Sequence, residues 1–210
     1  MRLSRETPLM PRLLLIALII CSVYLVTQLL SKDDKSDQRL ISNVNYINST
    51  GFSIRSDSTN LETSAKGTVF VEGNEGIADR ISIVAAIDID PNDWGGVTFY
   101  LPNHWSIANV TSSYPENNQQ MNPSEKASIW TTTDTKSEWQ AWVEIGTERS
   151  YEPTGGGHGT VVIDLVYDGH DKSMPDSFEF TVAVGSKTVN GTRILGPDDV
   201  RVPVSLNNVQ

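Results

Sequence analysis

Apolar residues recur at every second position along most of this chain after residue 66, and this period of two limits its fold more than any other feature. The clearest run carries Ile81, Ile83, Ala85, Ile87 and Ile89 on one side. Successive side chains of a β-strand point to opposite faces, so the run predicts a strand with one buried face. Similar runs span residues 97–101, 139–145, 161–167, 178–184 and 200–206.

Shorter candidate strands lie at 68–72, 105–111 and 128–132, and residues 51–55, in the polar segment before them, alternate well enough to offer one earlier strand. Turn formers such as Asn190-Gly191 separate the runs and favour tight reversals with positive φ. No stretch after Leu30 has a helical apolar stripe, whereas a parallel sheet needs helices of about a dozen residues between its strands. We therefore predict an all-β fold, an immunoglobulin-like or jelly-roll β-sandwich of roughly eight or nine strands.

The other constraint is one long uncharged run, LLLIALIICSVYLVTQLL, at residues 13–30. At about 1.5 Å per residue it spans roughly 27 Å, close to the hydrocarbon thickness of a bilayer. Arg2, Arg5 and Arg12 precede it, so the positive-inside rule places the amino terminus in the cytoplasm. A cleaved signal peptide is an alternative, but no small-residue cleavage site follows the run. A lipoprotein signal would need a small residue before Cys21, where the chain has Ile20.

These features predict four parts of the chain. Residues 1–12 are a cytoplasmic terminus, 13–30 a transmembrane signal anchor, 31–50 a polar stalk and 51–210 an extracytoplasmic β-sandwich domain. Because Cys21 is the single cysteine, the outer domain has no disulfide and depends on its hydrophobic core. Outer domains without disulfides favour a bacterial cell surface.

A family resemblance appears in the stretch 67–112, which reads GTVFVEG, then ISIVAAIDID, then GGVTFYLPNHWSIANVTS. In strand spacing it resembles cohesin-type and related bacterial immunoglobulin-like surface modules, over roughly a quarter of the chain. The resemblance implies a sandwich that binds another protein or displays a surface. No binding residue is carried over from it.

The acidic charge excludes some classes of partner. The net charge is −10, and because the first 12 residues contribute +2, the remainder carries −12. Nucleic acid and anionic lipid surfaces need clustered lysine and arginine, so neither is an expected ligand of the outer domain.

Asp88, Asp90 and Asp93 in DIDPNDWGG offer oxygen atoms at spacings that a calcium ion uses. The EF-hand pattern is excluded, because it needs glycine and glutamate where the chain has Asp93 and Phe99. A looser calcium site is one hypothesis for these acids, and outward charges that protect an edge strand are the other. No other cofactor is predicted, and the three histidines lack the spacing of zinc ligands.

Five tryptophans are the remaining candidates, because exposed rings stack on sugars or anchor protein partners. Alternation puts Trp139 on the inward face with Ala141 and Val143, and Trp142 on the opposite face. We expect three or more of the five in the core. Trp94, in a glycine-rich loop, and Trp142 are the candidate ligand-binding rings.

The chain has no nucleophile elbow and no cysteine in the outer domain, so we predict that it is not an enzyme. The first hypothesis is a membrane-anchored, non-enzymatic module that binds or scaffolds another cell-surface protein. The alternative is a carbohydrate or cell-wall binding module, which needs two or three coplanar Trp or Tyr rings on one sheet face. The second alternative is an enzyme with a dispersed carboxylate site.

Overall fold

The computed structural model describes residues 46–74, 77–116, 126–134, 136–169 and 175–207, and these form two antiparallel β-sheets. The strands are β1 (Tyr46–Arg55), β2 (Ser64–Asn74), β3 (Ile77–Ile89), β4 (Val97–Pro102), β5 (Trp105–Ser112), β6 (Ala127–Thr131), β7 (Trp139–Ile145), β8 (Gly157–Tyr167), β9 (Ser177–Val189) and β10 (Thr192–Ser205). Sheet I has the order β1-β2-β3-β8-β5, and sheet II the order β10-β9-β4-β7-β6. For the described residues the all-β prediction is confirmed.

Each alternating run of the sequence corresponds to one strand, and the early run 51–55 makes the tenth. That strand begins at Tyr46, so residues 46–50 lie in β1 although the predicted stalk extends to residue 50. The apolar run 13–30 lies outside the described residues. Within the described ranges, no helix is long and apolar enough to cross a membrane.

The core lies between the inward faces of the two sheets. All five inward residues predicted for β3, from Ile81 to Ile89, are at most 3% exposed. Phe52 of sheet I meets Phe180 of sheet II edge-on, with ring centroids 5.7 Å apart. The other core residues include Val69, Val71, Val97, Phe99, Leu101, Trp105, Val143, Ile145, Ile163, Leu165, Val182, Val184 and Val204.

The turn predicted at Asn190-Gly191 joins β9 to β10. Both residues have positive φ, 51° and 80°, and Val189 pairs with Thr192 across the turn. Positive φ at both central positions matches the right-handed twist of the strands on either side, which explains the preference for this dipeptide.

The two lateral sides of the sandwich differ. On one side β1 lies beside β10, and the Asn48 side-chain amide donates to the carbonyl of Ser205 at 3.3 Å. On the other side β5 and β6 flank a groove of about 480 Å³, which we call the seam groove. Its lining includes Trp105, Ile107 and Ile129.

Candidate functional site

The outward face of sheet II carries a row of aromatic side chains from three neighbouring strands. In the strand register, Trp130 of β6 lies opposite Trp142 of β7, and Trp142 lies opposite Tyr100 of β4. The residues on either side of Tyr100, Phe99 and Leu101, are fully buried in the core, so the Tyr100 ring points outward. The Trp130 and Trp142 rings are parallel to within 16°, with centroids 6.4 Å apart.

Trp139 joins this row, and the prediction that it faces inward is wrong. The register shifts where Leu101 pairs with Ala141 but Pro102 pairs with Trp139, so one residue of β7 is left out of the pairing. Such a bulge moves the next side chain to the other face of the sheet. The Trp139 ring consequently packs on Tyr100, with centroids 4.7 Å apart and planes tilted by 38°.

A buried acid fixes the first two rings of the row. Glu144 is only 2% exposed, and its carboxylate accepts the indole N–H of Trp130 at 3.0 Å and that of Trp142 at 3.3 Å. The Arg149 guanidinium donates to both carboxylate oxygens, at 2.6 and 2.7 Å, and lies 4.9 Å from the centre of the Trp130 ring. We call Tyr100, Trp130, Trp139, Trp142 and Arg149 the aromatic face.

Polar groups border this face on the side of β9 and β10. A depression of about 270 Å³ is lined by Tyr100, Trp139, Thr181, Asp199 and Arg201, among others. Arg201 pairs with Glu179 at 3.3 Å and with Glu138 at 3.7 Å. The face therefore combines partly exposed aromatic rings with a charged margin.

The surroundings of Tyr100 shift the pKa of its phenol. Burial raises the pKa of the Tyr100 phenol, and the Glu144 carboxylate raises this pKa further, while Arg149 opposes them. The Tyr100 hydroxyl is accordingly neutral throughout the physiological range and available as a hydrogen-bond donor.

Trp94, the other predicted ligand-binding ring, belongs to a separate cluster. Its ring meets Tyr151 edge-on at 5.0 Å, and the Arg193 guanidinium lies 4.1 Å from the centre of the Tyr151 ring. Trp94 itself is half-buried. The two rings singled out from the sequence thus lie in different clusters, and the cluster that contains Trp142 has more aromatic rings.

The expectation that three or more tryptophans are core residues is wrong, because only Trp105 is fully buried. Trp130 is 42% exposed, and the other three are half-buried. Sequence reasoning missed Trp130, Tyr100 and Arg149 as partners of Trp142. The sequence did place Trp130 in the short uncharged run 128–132. It did not show which strands lie beside that run, so the partners of Trp130 could not be predicted.

The three aspartates proposed for calcium do not meet at one point: Asp88 and Asp90 line the same shallow depression, and Asp93 lies outside it. Asp88 is exposed on β3, whereas Asp90 accepts the backbone N–H and side-chain amide of Asn92 and the backbone N–H of Glu62. Hydrogen bonding from the Asn92 backbone is the main reason why the pKa of Asp90 lies below its ordinary value.

Asp93, in contrast to Asp88, is fully buried. Its carboxylate accepts hydrogen bonds from the hydroxyls of Thr63 and Ser186 and from the backbone N–H groups of Gly95 and Gly96. Within the part of the chain that the structure describes, no three His, Cys, Asp or Glu side chains gather as ligands for a metal ion. The geometry therefore gives the calcium hypothesis no support.

The fold and the aromatic face together define the class of protein: the described residues form a two-sheet all-β sandwich with an aromatic outer surface on one sheet. No protein-family model and no curated protein matches the chain. A similar solved structure comes from work on pH-induced modulation of Streptococcus parasanguinis adhesion by Fap1 fimbriae. It is 12% identical, with a TM-score of 0.33, and the match covers 77% of this chain and 96% of that one. These values describe a loose likeness between two β-rich domains, and we transfer no function from it.

Proposed function

We propose that this protein is a membrane-anchored, extracytoplasmic and non-enzymatic binding module that engages another cell-surface protein through its aromatic face. The observation that carries the proposal is the row Trp130–Trp142–Tyr100, extended by Trp139, on the outward side of sheet II. The apolar run 13–30 and the arginines before it support the anchor, and the absence of disulfides supports a bacterial surface.

The composition of the face favours a protein partner. Trp, Tyr and Arg are the residue types that most often dominate the binding energy of protein interfaces. Here all three occur together, with Trp130 exposed by 42% and Arg149 also exposed. Glu144 holds two of the rings and the guanidinium in place, so little side-chain freedom is lost on binding.

A glycan is the second candidate ligand, because one observation favours it. Sugar rings stack on aromatic planes, and the Trp130 and Trp142 planes are parallel to within 16°. Two other observations favour the protein partner. Arg149 covers one side of the Trp130 ring, and the 38° tilt between Tyr100 and Trp139 interrupts a flat platform.

The test uses the full chain in lipid nanodiscs. Binding is measured to the protein fraction of the cell envelope and, separately, to purified wall polysaccharide and peptidoglycan. Trp130→Ala is the variant, because Trp130 lies at the sheet edge and is the most exposed ring of the face. Tyr46→Ala is the matched control, since Tyr46 is a 56% exposed aromatic residue on β1 of the other sheet.

We expect Trp130→Ala to weaken binding to the protein fraction by about 30-fold, the effect of a typical hot-spot residue, and Tyr46→Ala to leave it unchanged. Equal binding by wild type and Trp130→Ala would refute the proposed face. Saturable binding to purified polysaccharide that Trp130→Ala abolishes would replace the protein partner with a glycan.

A further inference from the structure

Among the residues that the structure describes, the four edge strands of the two sheets are not equally protected against pairing with another chain. Bulges disturb the outer strands β1, β5 and β10, between Tyr46 and Asn48, Ile107 and Asn109, and Leu195 and Asp198. β10 also carries two prolines, two arginines and two aspartates. Bulges, charges and prolines are the usual devices that prevent edge-to-edge association.

β6 has none of these devices. Its sequence, ASIWT, contains no charge, proline or glycine, and its register with β7 is regular throughout. Ile129 and Trp130 are exposed by 51% and 42%. An uncharged, regular edge strand with exposed apolar side chains is a template for a further strand.

The direction of the free backbone groups follows from two hydrogen bonds at the ends of β6. The Gly146 N–H donates to the Lys126 carbonyl at 2.8 Å, and the Thr132 N–H donates to the Gln140 carbonyl at 2.9 Å. In an antiparallel ladder the N–H and C=O of one residue point to the same side, and the side alternates along the strand. The even-numbered residues therefore face β7, while Ala127, Ile129 and Thr131 direct their N–H and C=O groups away from it.

We propose that this edge pairs with β6 of a second copy of the chain, antiparallel, about a two-fold axis at Ile129. Ile129 then lies opposite its own counterpart, and Ala127 lies opposite Thr131 of the other copy. Each such pair exchanges two backbone hydrogen bonds, so the ladder contains about six. Two identical strands can meet without like charges opposing each other, because β6 carries none.

The second copy also continues the aromatic face. Trp130 projects on the outward side, diagonal to Trp130 of the other copy, a spacing of roughly 7–8 Å that large aromatic rings can bridge. Pairing therefore joins two aromatic faces into one surface on a continuous sheet. The short ladder is weak between free molecules, so its occupancy rests on the proposed membrane anchor, which raises the effective concentration.

Crosslinking of the full chain in liposomes tests the pairing. In a Cys21→Ser background, Ile129→Cys places two thiols on residues whose Cα atoms are about 5.5 Å apart in the proposed dimer, within disulfide range. Ser53→Cys is the matched control, because Ser53 is exposed on the edge strand β1. Mild oxidation is expected to give a covalent dimer with Ile129→Cys and only monomer with Ser53→Cys.

Proline substitutions distinguish backbone hydrogen bonding between the two β6 strands from mere proximity of the two copies. Thr131→Pro, added to Ile129→Cys, removes an N–H that β7 does not use, and is expected to reduce crosslinking to the level of the Ser53 control. Thr131→Val retains the N–H and is expected to preserve crosslinking. If Thr131→Pro alters the tryptophan fluorescence of the fold, Ala127→Pro removes the other hydrogen bond of the same Ala127–Thr131 pair, at the first residue of the strand, where proline is best tolerated.

Equal crosslinking from Ile129→Cys and Ser53→Cys, or no loss with either proline, would overturn the pairing. These results leave the proposed binding function untouched, because Trp130 remains in every crosslinking variant. The converse result is that Trp130→Ala abolishes envelope binding while crosslinking through Ile129→Cys is retained. That result would assign partner binding to the Trp130 side chain and pairing of the two copies to the β6 backbone.

Discussion

The buried carboxylate of Asp93 connects the two sheets at one end of the sandwich, and its replacement by asparagine tests how much this connection stabilises the fold. Thr63 stands immediately before β2 of sheet I, and Ser186 lies in β9 of sheet II. Their hydroxyls donate to Asp93 at 2.6 and 2.5 Å, and the Gly95 and Gly96 amides donate at 2.8 and 3.3 Å. All four donors share one carboxylate with no exposed surface.

Asp93→Asn keeps one oxygen and replaces the other with a donor. The two hydroxyls can rotate to accept a hydrogen bond from the new amide, but a backbone N–H cannot. One glycine N–H therefore loses its partner, which costs about 1–3 kcal/mol, and the remaining bonds lose their charge assistance, about 1 kcal/mol each. Relief of the buried charge offsets part of this loss, so we expect a net destabilisation of about 2–4 kcal/mol.

Thermal unfolding followed by circular dichroism measures the effect. For a domain of this size the expected decrease in Tm is about 4–16 °C. Asp88→Asn is the control, since Asp88 is exposed on the adjacent strand and its substitution is expected to change stability by no more than about 0.5 kcal/mol. If Asp93→Asn unfolds at the wild-type temperature, the four hydrogen bonds do not connect the sheets as argued.

Three further predictions concern ionisable groups. Glu144→Gln removes the charge that Arg149 contacts, so it is expected to destabilise the fold by about 1–3 kcal/mol in denaturant unfolding and to change tryptophan fluorescence. Glu138→Gln replaces an exposed acid and is the control, with unfolding expected to be unchanged. In ultraviolet alkaline titration, Glu144→Gln is expected to lower the pKa of Tyr100 and Arg149→Ala to raise it; no change in either would contradict the assigned causes. Because the folded-state pKa of Asp90 is below its ordinary value of 3.8, its contribution to stability is present above that pH and is lost as the pH falls through the folded-state pKa. Asp90→Asn should thus flatten the acid limb of a pH–stability profile, and an unchanged limb would refute the assignment.

Much of the fold was predictable because the alternation of apolar and polar residues within one strand indicates which of its side chains are buried. The run from Ile81 to Ile89 predicted five inward residues, and all five are buried. Prediction failed at Trp139, where one unpaired residue in β7 reverses the face. A bulge depends on how two strands align, and the period of one strand carries no information about that alignment.

The candidate site was less predictable than the core. Trp142 was expected to face outward, but its neighbours Trp130 and Tyr100 come from other strands and share its face only through the register of sheet II. The three acids of DIDPNDWGG differ in the same way. One is exposed, one is held in a local turn and one is buried among hydroxyl and amide donors from both sheets.

By itself the sequence determined the all-β class of the described residues, the approximate position of each strand, the inward side of most strands and the presence of one run, 13–30, long enough to span a bilayer. All of these depend on residues close together in the chain, where hydrophobic period and turn chemistry act directly. Only the tertiary structure decided which strands are neighbours, and hence that four aromatic rings share one outward face and that β6 is an uncharged edge. Those properties arise from pairing between distant segments, which is selected by the packing of the whole core.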